Sequence, residues 1–581
     1  MCVRLAILLL ILTSHLCVKA QSYDSISLKC PNRFITGQQL PVEIRLFKNN
    51  SLAYIDTTLY INFNSLSTPI EIRKGRGSGA LQMNTSEESI ITIENTATSI
   101  IVQPDINIIT SLSGTYSSNL TLHENHSYHI TEDLIINSSS KFSVEKGAII
   151  LIAPQANIIV NGSAQFLGSY SQPIVVAGFN SSEAWGGIML NAIADTSVFE
   201  NTMFIDGGGN PNYIFGHSQS QAVVRVENTN AIFENCCFIS NPGKAVGGLY
   251  ANILMKNCLI SHCDTGAEFY ASKAEVDSCH VLFIPDNDGI LDDDDNDGMY
   301  FSEVHPSQEA CRVSNSFFIV GEDDGIDHNG AILIIENCWI EGFENEGIAC
   351  SNKNTVHVFN TMIRNCNQAI ECGYGNASVT VNHCVIIDNN IGARFGDEYP
   401  SPSSGNLEIT NSVFYNNLQN LLNYDPQVAG PIEAAMQASY SITNNPDFDN
   451  TNYCIAATPV FNRDFCLHPS SPGYGMASDG FSMGLLSSLL DVVQCQFIEE
   501  FTIFPNPAAQ QVNVSFISEL FSIGRLSLYS LDGRNILSRV FDVVPGVNEF
   551  SIHLDHCQNG IYIMTLEAGN KLMQKILVIN E

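Results

Sequence analysis

One position recurs along the middle of this chain and limits what it can fold into. It reads Asn201, Asn235, Asn257, Ser278, Asn315, Asn337, Asn360, His383 and Asn411, with spacings of 34, 22, 21, 37, 22, 23, 23 and 28 residues. Each follows an apolar–x pair and precedes Cys, Ser or Thr, as in Phe233-Glu234-Asn235-Cys236 and Ile335-Glu336-Asn337-Cys338. Between these stretches lie short apolar runs broken by Gly and Asn, such as Leu134-Ile135-Ile136 and Ile158-Ile159-Val160. A repeat of 21–23 residues built from short strands is the pattern of a right-handed parallel β-helix, in which each coil stacks on the last. Leucine-rich repeats share the period but need Leu at fixed offsets and a helical half-repeat, which are absent. The longer spacings are coils carrying inserted loops. Asn suits a stacked corner because its amide can bond both to backbone and to the Asn one coil away, about 4.8 Å on.

The repeat also sets a register. Aligning the third strand of successive coils places Met299, Ile326, Ile348, Ile370 and Ala393 toward the core, together with Phe301, His328, Cys350, Cys372 and Phe395. Tyr300, Asp327, Ala349, Glu371 and Arg394 alternate with them and point out. Asp297, Asp324 and Glu346 stack where that strand begins, whereas Asp292–Asp295 belong to an inserted loop. His328 is expected in the core.

Of the 18 cysteines, Cys2 and Cys17 lie in the leader. Disulfides are the default in an exported chain. Here Cys236, Cys258, Cys279, Cys338 and Cys384 hold one repeat position, and Cys350 and Cys372 another. That register favours buried free thiols for most of them. Cys454 and Cys466, outside the regular coils, form the expected disulfide.

The remaining segments follow from texture. Residues 1–20 read as a signal peptide: Arg4, the apolar run Leu5 to Leu12, then Val18-Lys19-Ala20. Residues 21–107 alternate as a small β-sandwich, residues 108–485 are the β-helix with an irregular cap, residues 486–500 are a linker, and residues 501–581 form a second sandwich. No later segment is apolar enough to span a bilayer as a helix.

The formal charge is −35, from 60 acidic and 25 basic residues. Such a surface disfavours nucleic acid and anionic membranes as partners and suits divalent cations. The acids concentrate at Asp292–Asp297 and Glu322–Asp327, where like charges repel unless a cation or solvent screens them.

Several stretches resemble known families. Phe504-Pro505-Asn506-Pro507, Leu528-Tyr529-Ser530-Leu531-Asp532-Gly533-Arg534, Asn559-Gly560-Ile561-Tyr562 and Lys575-Ile576-Leu577-Val578 together resemble the C-terminal sorting domain of the type IX secretion system. That resemblance implies a Bacteroidetes-type bacterium, handling by the secretion machinery, and a secreted or outer cell-surface location. Residues 113–480, with Trp185-Gly186-Gly187-Ile188 and Ser471-Pro472-Gly473, resemble the β-helix repeat proteins of such bacteria. Asp323-Asp324-Gly325-Ile326-Asp327 is similar to the calcium-binding stretch of family 9 pectate lyases, and Asp286-Asn287-Asp288-Gly289 resembles the loops of thrombospondin type 3 repeats.

The pectate lyase resemblance implies calcium held by clustered carboxylates, with a basic residue taking the proton beside a uronate carboxylate. On that pattern Asp297, Asp323, Asp324, Asp327 and Glu346 are the expected ligands. No Lys stands where that family carries its base. Arg394 is the nearest candidate, Lys353 and Arg364 are weaker, and Glu371 could pair with Asp327 in a hydrolase. The expectation is an exported β-helix protein that binds calcium and a glycan. The alternative is a calcium-dependent polysaccharide lyase or glycoside hydrolase.

Overall fold

The computed structural model describes residues 23–580 apart from short internal stretches, of which 286–294, 425–434, 444–450 and 490–497 are the longest. Residues 1–20, read from sequence as a signal peptide, the Asp286–Gly289 motif and Asp292, Asp293 and Asp294 lie outside the described residues. Among those described there is no α-helix.

The N-terminal region is a sandwich of two sheets. One holds Ser25–Lys29, Gln39–Lys48, Ser51–Leu52 and Arg76–Gln82; the other runs Arg33–Phe34, Ser99–Pro104, Ser89–Ile93, Thr57–Phe63, Leu66–Ile72. Strict alternation in the sequence places Val42, Ile44, Ile61, Ile72 and Ile91 between them, all fully buried.

From Thr110–Tyr116 onward the chain is a parallel β-helix. One coil is Lys273–Asp277, His280–Ile284 and Met299–Ser302, and the next begins at Cys311–Ser314. Each strand pairs in parallel with its equivalent one coil away, as Lys273–Asp277 does with Cys311–Ser314. The interior is one continuous apolar cluster running from Leu122 to Ala438.

The Asn position has a conformational cause beyond stacking. Asn201, Asn235, Asn257, Ser278, Asn315, Asn337, Asn360, His383 and Asn411 all have φ between +45° and +57°. Asn tolerates this left-handed turn better than most side chains. The amide ladder forms as well: Asn257 donates to Asn235 Oδ1 at 2.7 Å, and Asn360 to Asn337 Oδ1 at 2.7 Å. Where another residue holds the position the ladder diverts. Asn315, following Ser278, donates to Asp277, and Asn411, following His383, donates to Asn382.

The next residue explains the cysteines. Its side chain accepts the backbone N–H of its counterpart one coil earlier: Cys258 N to Cys279 Sγ at 3.4 Å, Cys279 N to Ser316 Oγ at 3.0 Å, Cys384 N to Ser412 Oγ at 3.1 Å. Cys, Ser and Thr interchange here because a small side chain with a lone pair is what the turn requires. The described cysteines are thiols, and this includes Cys454 and Cys466. The expected disulfide between those two is therefore corrected; each lies in the cap with only partial burial.

One flank of the solenoid is apolar on its outside and is covered. Cys237, Leu259, Phe317, Trp339, Met362 and Val385 pack against Tyr54 of the sandwich and Leu467, Met483 and Leu485 of the cap. The sandwich also seals the Asn corner with buried cations. Lys29 donates to Asn201 Oδ1 at 2.9 Å and Asn235 O at 2.7 Å, and Arg76 to Asn257 O and Cys258 O, each at 3.1 Å. Glu43 balances them through Arg45 and Arg76.

The C-terminal sandwich pairs a sheet of Ile498–Phe504, Gln511–Ser518 and Gly546–His553 with one of Asn535–Val543, Ser522–Ser530, Gly560–Ala568 and Lys571–Ile579. Its first strand begins at Ile498, near the end of the stretch read from sequence as linker. Leu486, at the other end of the stretch, is bound by its N–H to Asn360 Oδ1 at 2.8 Å.

Candidate cation site

The functional interest lies on a different flank. There Ala222–Glu227, Lys244–Leu249, Ala267–Tyr270, Met299–Ser302, Ile326–Asn329, Glu346–Asn352, Gln368–Gly375 and Ile391–Phe395 stack in register. The outward column is Arg225, Gly247, Glu268, Tyr300, Asp327, Ala349, Glu371, Arg394. The stretch from Tyr300 to Arg394 agrees with the register read from sequence. Met299, Ile326, Ile348, Ile370 and Ala393 face the core, as do Phe301, His328, Cys350, Cys372 and Phe395. His328 is fully buried, with Nε2 2.7 Å from Ala331 O.

Asp297, Asp324 and Glu346 form a second stack, each followed by Gly. Gly298 N–H bonds Asp324 O, and Gly325 N–H bonds Glu346 O. A Cβ on Gly298 would lie 2.3 Å from Gly325 O, and one on Gly325 2.6 Å from Gly347 O. The acid–Gly dipeptide is thus partly a packing requirement: each coil's carbonyl rests on the glycine of the coil before it.

The acids of this stack do different things. Asp324 accepts the Glu346 N–H at 2.7 Å, and Glu346 accepts from the Gln368 amide. Asp323 accepts from Asn345 at 3.1 Å. Asp297 is 1% exposed, and among the described residues neither of its carboxylate oxygens has a hydrogen-bond partner. Burial pushes its carboxyl well above the usual carboxylate range, and the charges of Asp327, Asp323, Asp295 and Glu268 add to that. Asp327 and Asp324 are raised for the same reasons, and Asp323 is pushed up to about 6, chiefly by burial.

Among the described residues, one set of metal-capable atoms comes together: His217, Asp297 and Asp327, all within 4.8 Å of one another. Of the five ligands expected from sequence, Asp297 and Asp327 meet there. Asp323, Asp324 and Glu346 surround them and spend oxygens on neighbouring coils. His217, Glu268 and Lys244 were not foreseen. The signal for His217 was present in the 34-residue spacing between Asn201 and Asn235, a coil too long by one loop. That loop folds across the flank and brings His217 to Asp295 and to the repeat position Asp297 of the 37-residue coil.

The loop is held by the column beneath it. Lys244 donates to Phe215 O and pairs with Glu268, which accepts the His217 N–H at 2.5 Å. Lys244 and Glu268 are both buried, and burial lowers the Lys244 pKa although Glu268 opposes this. The His217 ring stacks on Tyr300, and its Nδ1 is 3.3 Å from Asp295 Oδ2.

The other residues read as catalytic sit apart from this cluster. Arg394 Nη1 lies 3.9 Å from Glu371 Oε1, one coil away, and both side chains are buried. Glu371 is two coils from Asp327 in the same column. Lys353 pairs with Glu303 at 2.9 Å, and Arg364 lies beside Asp388 and Glu341.

Residues 502–580 match the secretion system C-terminal sorting domain family. No curated protein matches the chain. Similar solved structures include the catalytic domain of a GH87 alpha-1,3-glucanase, at 10% identity over 70% of this chain and 90% of that one, with a TM-score of 0.29. The periplasmic alginate epimerase AlgG is similar at 10% identity over 57% and 77%, with a TM-score of 0.25. The catalytic unit of a thermostable GH87 alpha-1,3-glucanase from Streptomyces thermodiastaticus strain HF3-3 gives 11% over 71% and 97%, with a TM-score of 0.20. Likenesses at this level say nothing about activity. The sorting domain does assign a destination: type IX secretion, to the cell surface or the extracellular space. No helix among the described residues is long and apolar enough to cross a membrane.

Proposed function

We propose that this exported β-helix protein binds a divalent cation at the edge where Asp297 and Asp327 meet, with calcium the ion that the acidic motif suggests, and that the same flank receives a glycan. The observation carrying the cation is Asp297. A carboxylate buried with both oxygens unpartnered is costly unless it is protonated or a cation neutralises it. Asp327 on the neighbouring coil supplies a second oxygen donor, and Asp323 lies close enough to add to the local negative field. Hard cations favour such oxygen clusters. The glycan part draws on the outward column, in which Tyr300, Asp327, Glu371 and Arg394 place polar side chains along one flank, with Ala349 between Asp327 and Glu371.

The test is thermal unfolding with and without millimolar calcium, for the wild type and for Asp297→Asn. A rise in melting temperature in the wild type alone supports the reading. No rise in either, with calcium or any other divalent ion, removes it.

A second reading is a calcium-dependent polysaccharide lyase or glycoside hydrolase using Glu371 and Arg394. The Glu371–Arg394 ion pair favours a positive charge positioned for a uronate carboxylate over a proton acceptor. Absorbance from unsaturated product across a polyuronate panel, with a reducing-sugar assay beside it, separates the two. Flat traces in both with calcium present exclude catalysis on those substrates.

A further inference from the structure

His217 adds a nitrogen donor to what the acidic motif offers as an all-oxygen site. It reaches the cluster because its loop is pinned. Gly216 has φ +73°, and a Cβ there would lie 1.7 Å from Glu268 Oε1, so only glycine lets the loop lie this close. Phe215 sits under the guanidinium of Arg225, 4.9 Å from its ring centroid, and beside the Lys244 ammonium at 5.2 Å. The His217 ring is fixed against Tyr300, and Asp295 stands at its Nδ1. A carboxylate beside the imidazole is the usual companion of a metal-bound histidine, because it orients the ring.

The unpartnered, buried Asp297 carboxylate supplies the independent sign of a missing ligand. The converging donors are thus one imidazole and two carboxylates, with His217 itself exposed, so positions remain open to solvent. Calcium takes six to eight oxygens and has little affinity for imidazole. Zinc and its first-row neighbours accept three protein ligands of mixed N and O type with an open position.

Resting on the cation reading, we infer that the site takes a borderline first-row divalent ion of the zinc class in preference to calcium, with His217 as the deciding ligand. The test is calorimetric titration of the full mature chain with zinc and, separately, with calcium. The proteins are wild type, His217→Ala, His217→Asp and Asp297→Asn. Wild type binds zinc at least about tenfold more tightly than calcium. His217→Ala loses about ten- to hundredfold in zinc affinity and changes calcium little. His217→Asp, which completes an oxygen-only set, reverses the order, and Asp297→Asn weakens both ions. Zinc affinity unchanged in His217→Ala overturns the inference. If calcium binding is retained in that variant, the cation reading survives. Zinc affinity unchanged in Asp297→Asn places the ion on other donors and also overturns the inference. Wild type that binds neither ion removes both readings.

Discussion

The imidazole of His217 lies parallel to the phenol ring of Tyr300, with centroids 4.5 Å apart and planes 8° apart. The two residues come from different coils, and the contact exists because a loop inserted in one coil lies across the outward column of the others. It brings a nitrogen donor to carboxylates that the solenoid stacks by itself.

The buried Asp297 carboxylate should destabilise the metal-free fold. Asp297→Asn removes the charge while keeping shape. It is expected to raise stability in chelator by on the order of 1–3 kcal/mol, measured by denaturant unfolding. Equal or lower stability would mean that the wild-type carboxyl is already satisfied.

The same groups set a pH dependence. Asp297, Asp324 and Asp327 are raised well above the usual carboxylate value, and Asp323 to about 6. A raised folded-state pKa means that the folded chain binds more protons than the unfolded one. Their contribution to stability is then full below the ordinary carboxylate value near 3.8, and is lost as pH rises through about 6 and beyond. Metal-free protein should melt higher at pH 5 than at pH 7.5. Added metal should reverse the sign, because ligation requires the deprotonated form. A flat profile in chelator would contradict this.

Lys244 and Glu268 form the buried ion pair under the loop. Lys244→Met leaves Glu268 uncompensated and is expected to cost about 3–5 kcal/mol, whereas adding Glu268→Gln restores much of it. Chemical denaturation of the single and double variants reads this coupling. Additive losses would show that the pair is not a unit.

The corner position separates conformation from hydrogen bonding. Asn337→Gly keeps the left-handed turn but removes the bonds to Asn315 and from Asn360, costing about 1–2 kcal/mol. Asn337→Ala adds the cost of a Cβ at φ +56°, about 1–2 kcal/mol more. If Ala is tolerated as well as Gly, the turn is not the reason for Asn.

The repeat made the solenoid legible because two constraints fall on one position: a left-handed turn and a stacked amide. The outward column was legible for the same reason, since strand parity propagates without error from Tyr300 to Arg394. The cysteine ladder was read as buried thiols, but the cap defeated the same logic. Cys454 and Cys466 were paired by default where no register existed. The grouping at the candidate site was legible only in part. Asp297 and Asp327 follow from the repeat, but which acids remain unpartnered depends on Asn345, Gln368 and the Glu346 amide, all contributed by the following coil. The 34-residue spacing marks the loop that carries His217, but not where it lands, because that depends on contacts such as Gly216 with Glu268, which no period encodes.

The most direct test of a cation at this edge is anomalous scattering from crystals of the protein soaked in zinc, and separately in manganese. The account predicts one dominant peak about 2.0–2.2 Å from oxygens of Asp297 and Asp327 and from a His217 nitrogen. No peak there, with the Asp297 and Asp327 carboxyls drawn together to share a proton, would contradict it.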